Sequence, residues 1–132
     1  MSIRAVFLLL LPCIACAQEV ACHYEYGGEP KVLVARPVAS PYTVPTVEVG
    51  SHLKFRVVFQ KEPRDLASIK VYAYAAEKDG GATLVHQATY PYPLPKTVGA
   101  SGTSGRYGFT GLHSAFEPSL GAELQYWCEL RP

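Results

Sequence analysis

Two cysteines, Cys22 and Cys128, stand near the two ends of this chain and constrain its fold more than any other feature. They are the only thiols left once residues 1–17 are set aside. That leading segment opens Met1-Ser-Ile-Arg, runs apolar from Ala5 to Leu11, and closes on the small triplet Ala15-Cys16-Ala17. A lone cation, a short apolar core and an A-x-A stop predict a secretory signal cleaved after Ala17. The apolar run is far shorter than the roughly 20 residues that cross a bilayer, so no membrane span is expected. A lipidated signal at Cys16 or Cys13 is the competing reading. Against it, Cys13 occupies the position three ahead of Cys16 where such signals usually place Leu, and Pro12 precedes Cys13. Export places the protein in the periplasm or outside the cell, an oxidising setting, where Cys22 and Cys128 are expected to form one structural disulfide. That bond requires the first and last strands to be neighbours or to face each other across the core.

The remaining residues 18–132, roughly 115 of them, suffice for one domain with a single core. Arg4 leaves with the signal, after which the basic residues equal the 11 acidic ones. Neither a basic excess nor a Lys/Arg cluster is present, so a nucleic-acid partner is not expected. No polybasic patch addresses a membrane surface either. The chain contains no asparagine, which excludes N-glycosylation and leaves its turns to Gly, Pro and Asp.

The pattern between the cysteines is β throughout. Val20–Tyr26 alternates Val20, Cys22, Tyr24 and Tyr26 against Ala21, His23 and Glu25, and Gly27–Pro30 turns it back into Lys31–Arg36. Pro37, Pro41 and Pro45 then mark an edge or a connection. Leu53–Phe59 is the clearest strand, with Leu53, Phe55, Val57 and Phe59 on one face. Ile69–Ala75 follows the same rule and sets Tyr72 and Tyr74 outward. Asp79-Gly80-Gly81 signals a hairpin into Ala82–Tyr90. Pro91–Pro95 is expected to run as polyproline II, Gly99–Gly105 to be a flexible Gly/Ser loop, and Arg106–Leu112 and Ala122–Leu130 to be the last strands. About seven strands at this spacing predict an all-β, single-domain antiparallel β-sandwich or a small barrel. The closing Tyr126-Trp127-Cys128 resembles the Tyr-x-Cys of immunoglobulin domains, which implies an immunoglobulin-like sandwich, although Cys22 lies on the first strand instead of a later one.

No catalytic constellation is legible. There is no Gly-x-Ser-x-Gly elbow and no unpaired thiol, and Asp65 and Asp79, the two aspartates, fall in predicted turns. No enzyme activity and no cofactor are therefore expected. His23, His52, His86 and His113 are far apart in sequence, and the exported chain has no methionine to serve as a soft ligand. No metal site is expected, and periplasmic carriage of a metal or small molecule is a secondary reading.

Binding is the function that the residues favour. Tyr72, Tyr74 and Trp127 point away from the predicted core, as aromatics of recognition surfaces do. The stiff Tyr90–Pro95 segment feeds a glycine-rich stretch ending Ser104-Gly105-Arg106-Tyr107. Those four residues resemble the Ser-Gly-containing, tyrosine-ending loop of bacterial periplasmic lysozyme inhibitors, small secreted β proteins that insert such a loop into a muramidase cleft. The resemblance implies that Ser104 and Tyr107 hydrogen-bond the enzyme's catalytic acids and that Arg106 pairs with a carboxylate. The expected function is a non-catalytic protein, an inhibitor or immunity-type partner of a cell-wall-degrading enzyme. The alternative is an accessory or adhesive component of a cell-envelope assembly that binds through Tyr72, Tyr74 and Trp127. Oligomeric state is not legible in the sequence.

Overall fold

A computed structural model describes residues 17–96 and 105–132. Most of the expected signal segment, and Ser104 with most of the Gly/Ser loop, lie outside the described residues. Eight strands form two four-stranded antiparallel sheets. The first sheet has the order β2 (Glu29–Ala35), β1 (Glu19–Tyr26), β8 (Glu123–Arg131) and β7 (His113–Phe116). The second has the order β3 (Val47–Val49), β4 (Leu53–Gln60), β5 (Ser68–Ala76) and β6 (Ala82–Pro91). The chain is thus an all-β sandwich, and among the described residues no helix is long and apolar enough to cross a membrane.

Alternation decides which residues become core. Leu53, Phe55, Val57 and Phe59 of β4 and Ile69, Val71 and Ala73 of β5 are all buried, as their period of two requires. From the opposite sheet, Val20 and Cys22 of β1 and Leu124, Tyr126 and Cys128 of β8 complete the same core. Phe55 joins the layers, its ring centroid 5.3 Å from Tyr24 and 5.4 Å from Tyr126. The β5–β6 hairpin turns where Asp79-Gly80-Gly81 signals it: Gly80 takes φ 87°, and the Gly81 N–H donates to Asp79 Oδ1 at 2.9 Å. Ala76 pairs with Ala82 immediately outside that turn.

The cysteines settle how the chain closes. β1 and β8 are antiparallel neighbours with Cys22 directly opposite Cys128, and the two are disulfide-bonded. The bond therefore joins adjacent strands of one sheet, unlike the immunoglobulin disulfide that crosses between sheets. Tyr126 differs too, since its hydroxyl meets His86 Nε2 at 2.7 Å.

Three stretches depart from the sequence expectation. Val47–Val49, unassigned above, pairs with Leu53–Phe55 as a short edge strand. Pro91 ends β6 and Tyr92–Pro93 bends, so an extended polyproline run is not formed. Arg106–Leu112 is not a strand. Gly105–Tyr107 is a single 3-10 turn, Gly108 touches β8 through one bridge, and the ladder begins only at His113. Gly105, Gly108 and Gly111 all take positive φ, which breaks any pleat through this segment.

At the lip between β6 and β7, side chains tie the sheets together. His86 of β6 bonds the Tyr126 hydroxyl, and the hydroxyl of Tyr90 on β6 lies 3.0 Å from His113 Nε2 on β7. The His86 and His113 rings are 5.6 Å apart. Burial, reinforced by His113, holds the His86 pKa below its ordinary 6.5. Below pH 6.5 the unfolded chain therefore binds a proton that the folded chain resists. The stability associated with neutral His86 is complete above about pH 6.5 and is lost as pH falls through the lower folded-state value. Thermal melts from pH 7.5 to 4.5 are expected to show Tm falling with acidification. In His86→Gln, which keeps a polar group for Tyr126, that slope is expected to flatten; an unchanged slope would assign it to other groups.

Candidate binding face around Trp127

Strand parity turns His23, Glu25, Trp127 and Glu129 to the outer face of the first sheet. The β1–β8 register sets His23 opposite Trp127, and the rings stack with centroids 4.0 Å apart and planes 9° from parallel. Beside them Glu129 is pinned at both oxygens: Arg131 Nε donates to Oε1 at 2.9 Å and His23 Nε2 donates to Oε2 at 3.0 Å. The Arg131 bond foremost, with the His23 bond adding, holds the Glu129 carboxyl below the usual carboxylate range. This string orients the imidazole under the indole and fixes an aromatic floor.

The loop after Gly105 forms the adjoining wall, and β8 positions it. The Phe109 N–H donates to the Cys128 carbonyl at 3.0 Å, and the Cys128 N–H donates to Thr110 Oγ1 at 2.8 Å. Gly108 makes this docking possible, since a Cβ on its φ 59° backbone would collide with the Cys128 carbonyl oxygen. Phe109 anchors the loop by burying its ring edge-on to Tyr90 at 5.3 Å. His113 holds its far end, 2.9 Å from the Thr110 carbonyl. So held, the loop turns Tyr107 edge-on to Trp127 at 6.4 Å and places the Arg106 guanidinium 5.4 Å above the Tyr107 ring.

The result is a concave site of about 310 Å³ lined chiefly by His23, Glu25, Val32, Arg106, Tyr107 and Trp127. Val32 and Leu112 at its walls are 49% and 45% exposed and extend the apolar part of the lining. The floor is aromatic and apolar, and the lining adds two cations, Lys31 and Arg106, and one carboxylate, Glu25, a composition suited to recognition.

The residues singled out by sequence fall into two groups. Arg106, Tyr107 and Trp127 line this site, and Gly105 begins the turn that brings the first two there. Tyr72 and Tyr74 instead occupy the outer face of the second sheet, on the opposite side of the sandwich. The single aromatic face expected from parity is therefore two faces, because β5 and β8 belong to different sheets. Cys22 and Cys128 lie inward, directly beneath this site. His23, Glu129 and Arg131 were missed as site residues. Parity already turned His23 outward, but only the β1–β8 register sets it against Trp127.

His23 and His86 do not meet, the first lying on the outer face and the second between the sheets. Among the described residues no three His, Cys, Asp or Glu side chains are grouped to hold a metal ion. Comparison with protein families, curated proteins and solved structures gives no match to this chain.

Proposed function

We propose that the chain is an exported, non-catalytic binding protein that engages a protein partner through the Trp127 face, and that this partner is a cell-wall-degrading enzyme which it inhibits. The observation carrying the reading is the meeting of Arg106 and Tyr107 with Trp127 around one concavity. Those side chains come from separate stretches of sequence, and tyrosine, tryptophan and arginine are the residue types that dominate binding energy at protein interfaces. The disulfide is at home in the oxidising compartment that the leading segment predicts. Arg106 supplies the positive charge that the carboxylates of a glycoside-cleaving active site attract. The envelope-accessory reading draws less support, because its three aromatics do not share a surface.

The test is a cell-wall lysis assay with the oxidised protein against goose-, chicken- and invertebrate-type lysozymes. Wild type is expected to inhibit at least one of them. Tyr107→Ala and Trp127→Ala are each expected to weaken inhibition by roughly thirtyfold or more, the scale of a hot-spot residue. Ser104→Ala tests the remainder of the loop motif. Absence of inhibition by wild type, or full inhibition by both aromatic variants, would overturn the proposal.

A further inference from the structure

The opposite side of the sandwich carries a second feature that is independent of the Trp127 face. On the outer side of the second sheet the β4–β5 register sets Lys54 beside Tyr74, Arg56 beside Tyr72, and the buried Val58 beside Lys70. Lys54 and Arg56 thus stand two residues apart on β4, about 7 Å along the strand, and Lys70 lies diagonally from Arg56 on the neighbouring β5. Tyr72 and Tyr74 stack on each other, 6.1 Å apart and 15° from parallel. The Arg56 guanidinium packs against both rings, 4.5 Å from Tyr72 and 5.9 Å from Tyr74. Its Nε is buried without a hydrogen-bond partner, so the fork is held by ring contacts and not by an acid. Among the described residues Lys54 is paired with Glu48 at 3.6 Å, while neither Arg56 nor Lys70 has an ion pair. A rigid guanidinium without a carboxylate is set to receive an oxyanion, and the fork geometry suits a carboxylate.

We propose that this face binds an acidic polysaccharide, a chain of carboxylate-bearing sugars lying across Lys54, Arg56 and Lys70. Cations on two neighbouring strands call for a ligand with repeated charge. The tyrosines, with Gln87 opposite Tyr72 on β6, add hydrogen-bonding groups suited to sugar hydroxyls between the charges. A peptide adding itself as a strand is disfavoured here, because β4 and β5 are interior strands with no free backbone edge. The two faces together make the protein a bridge: one side holds an acidic envelope polymer while the other captures a protein.

Binding of the mature protein to polygalacturonate at low salt tests the proposal, with neutral dextran and polyphosphate as comparison polymers. Wild type is expected to bind polygalacturonate and not dextran, and to be released by salt. Arg56→Gln and Lys70→Gln are each expected to weaken binding about tenfold. Lys70 stands outside the tyrosine stack, so Lys70→Gln keeps the test decisive if Arg56→Gln unfolds. Trp127→Ala is expected to bind polygalacturonate as wild type does, which separates this result from failure of the inhibitor reading. Equal retention on dextran, wild-type affinity in Lys70→Gln, or tighter binding of polyphosphate than of polygalacturonate would overturn it.

Discussion

Replacing Gly108 by alanine is expected to destabilise the protein by about 2–4 kcal/mol and to abolish binding through the Trp127 face. Two costs combine at this position. The residue holds φ 59°, a left-handed conformation that costs a non-glycine residue about 1–2 kcal/mol. The added Cβ would also drive into the Cys128 carbonyl oxygen, which belongs to the backbone of a central strand and cannot swing aside. The loop must then lift, breaking the Phe109 N–H bond to Cys128 and the Cys128 N–H bond to Thr110, and withdrawing Tyr107 from Trp127. Gly111 provides the internal control. It takes φ 75° but faces open space, so Gly111→Ala is expected to cost only about 1–2 kcal/mol. Urea unfolding of both variants, with Trp127 fluorescence as the probe of the site, checks the pair. Equal losses at the two positions would show that the close approach at Cys128 does not matter.

Loss of the disulfide is expected to have the other large effect. Cys22 and Cys128 are 106 positions apart, so the bond closes most of the chain into one loop. Constraining an unfolded loop of about 100 residues is worth about 4–5 kcal/mol in the chain-entropy description. The Cys22→Ala/Cys128→Ala double variant is expected to lose stability on that scale, with Tm lower by at least about 10 °C. The seven-pair β1–β8 ladder does not depend on the bond, so the sheets are expected to persist at room temperature. Titration of thiols in unfolded, unreduced protein lacking residues 1–17 should find neither Cys22 nor Cys128 free. Two reactive thiols in that experiment, or a double variant as stable as wild type, would remove the disulfide from the account.

Much of the sandwich was legible because its central strands are long and half-buried. Leu53–Gln60 and Ser68–Ala76 repeat apolar and polar residues with period two, and each lies between two neighbours in its sheet. Val47–Val49 and His113–Phe116 were not legible: three or four residues carry too little periodicity to stand out from a loop. Arg106–Leu112 was misread for a related reason. Its apolar residues Tyr107, Phe109 and Leu112 resemble a strand, but Phe109 is buried to anchor a loop and Tyr107 and Leu112 line a surface site.

The sequence by itself determined the fold class, the polarity of each long strand and the expectation that Cys22 pairs with Cys128. These follow from local rules: side chains alternate across a pleat, glycine and proline punctuate, and a leading segment that reads as an export signal leaves Cys22 and Cys128 as each other's partner. Only the tertiary structure decided which strands share a sheet. That assignment put Trp127 and Tyr72 on opposite sides of the molecule, set His23 under the indole, and brought the Gly105–Tyr107 turn to its edge. Each of these depends on registers between segments far apart in the chain, and a register is chosen by the packing of the whole core, which no local pattern encodes.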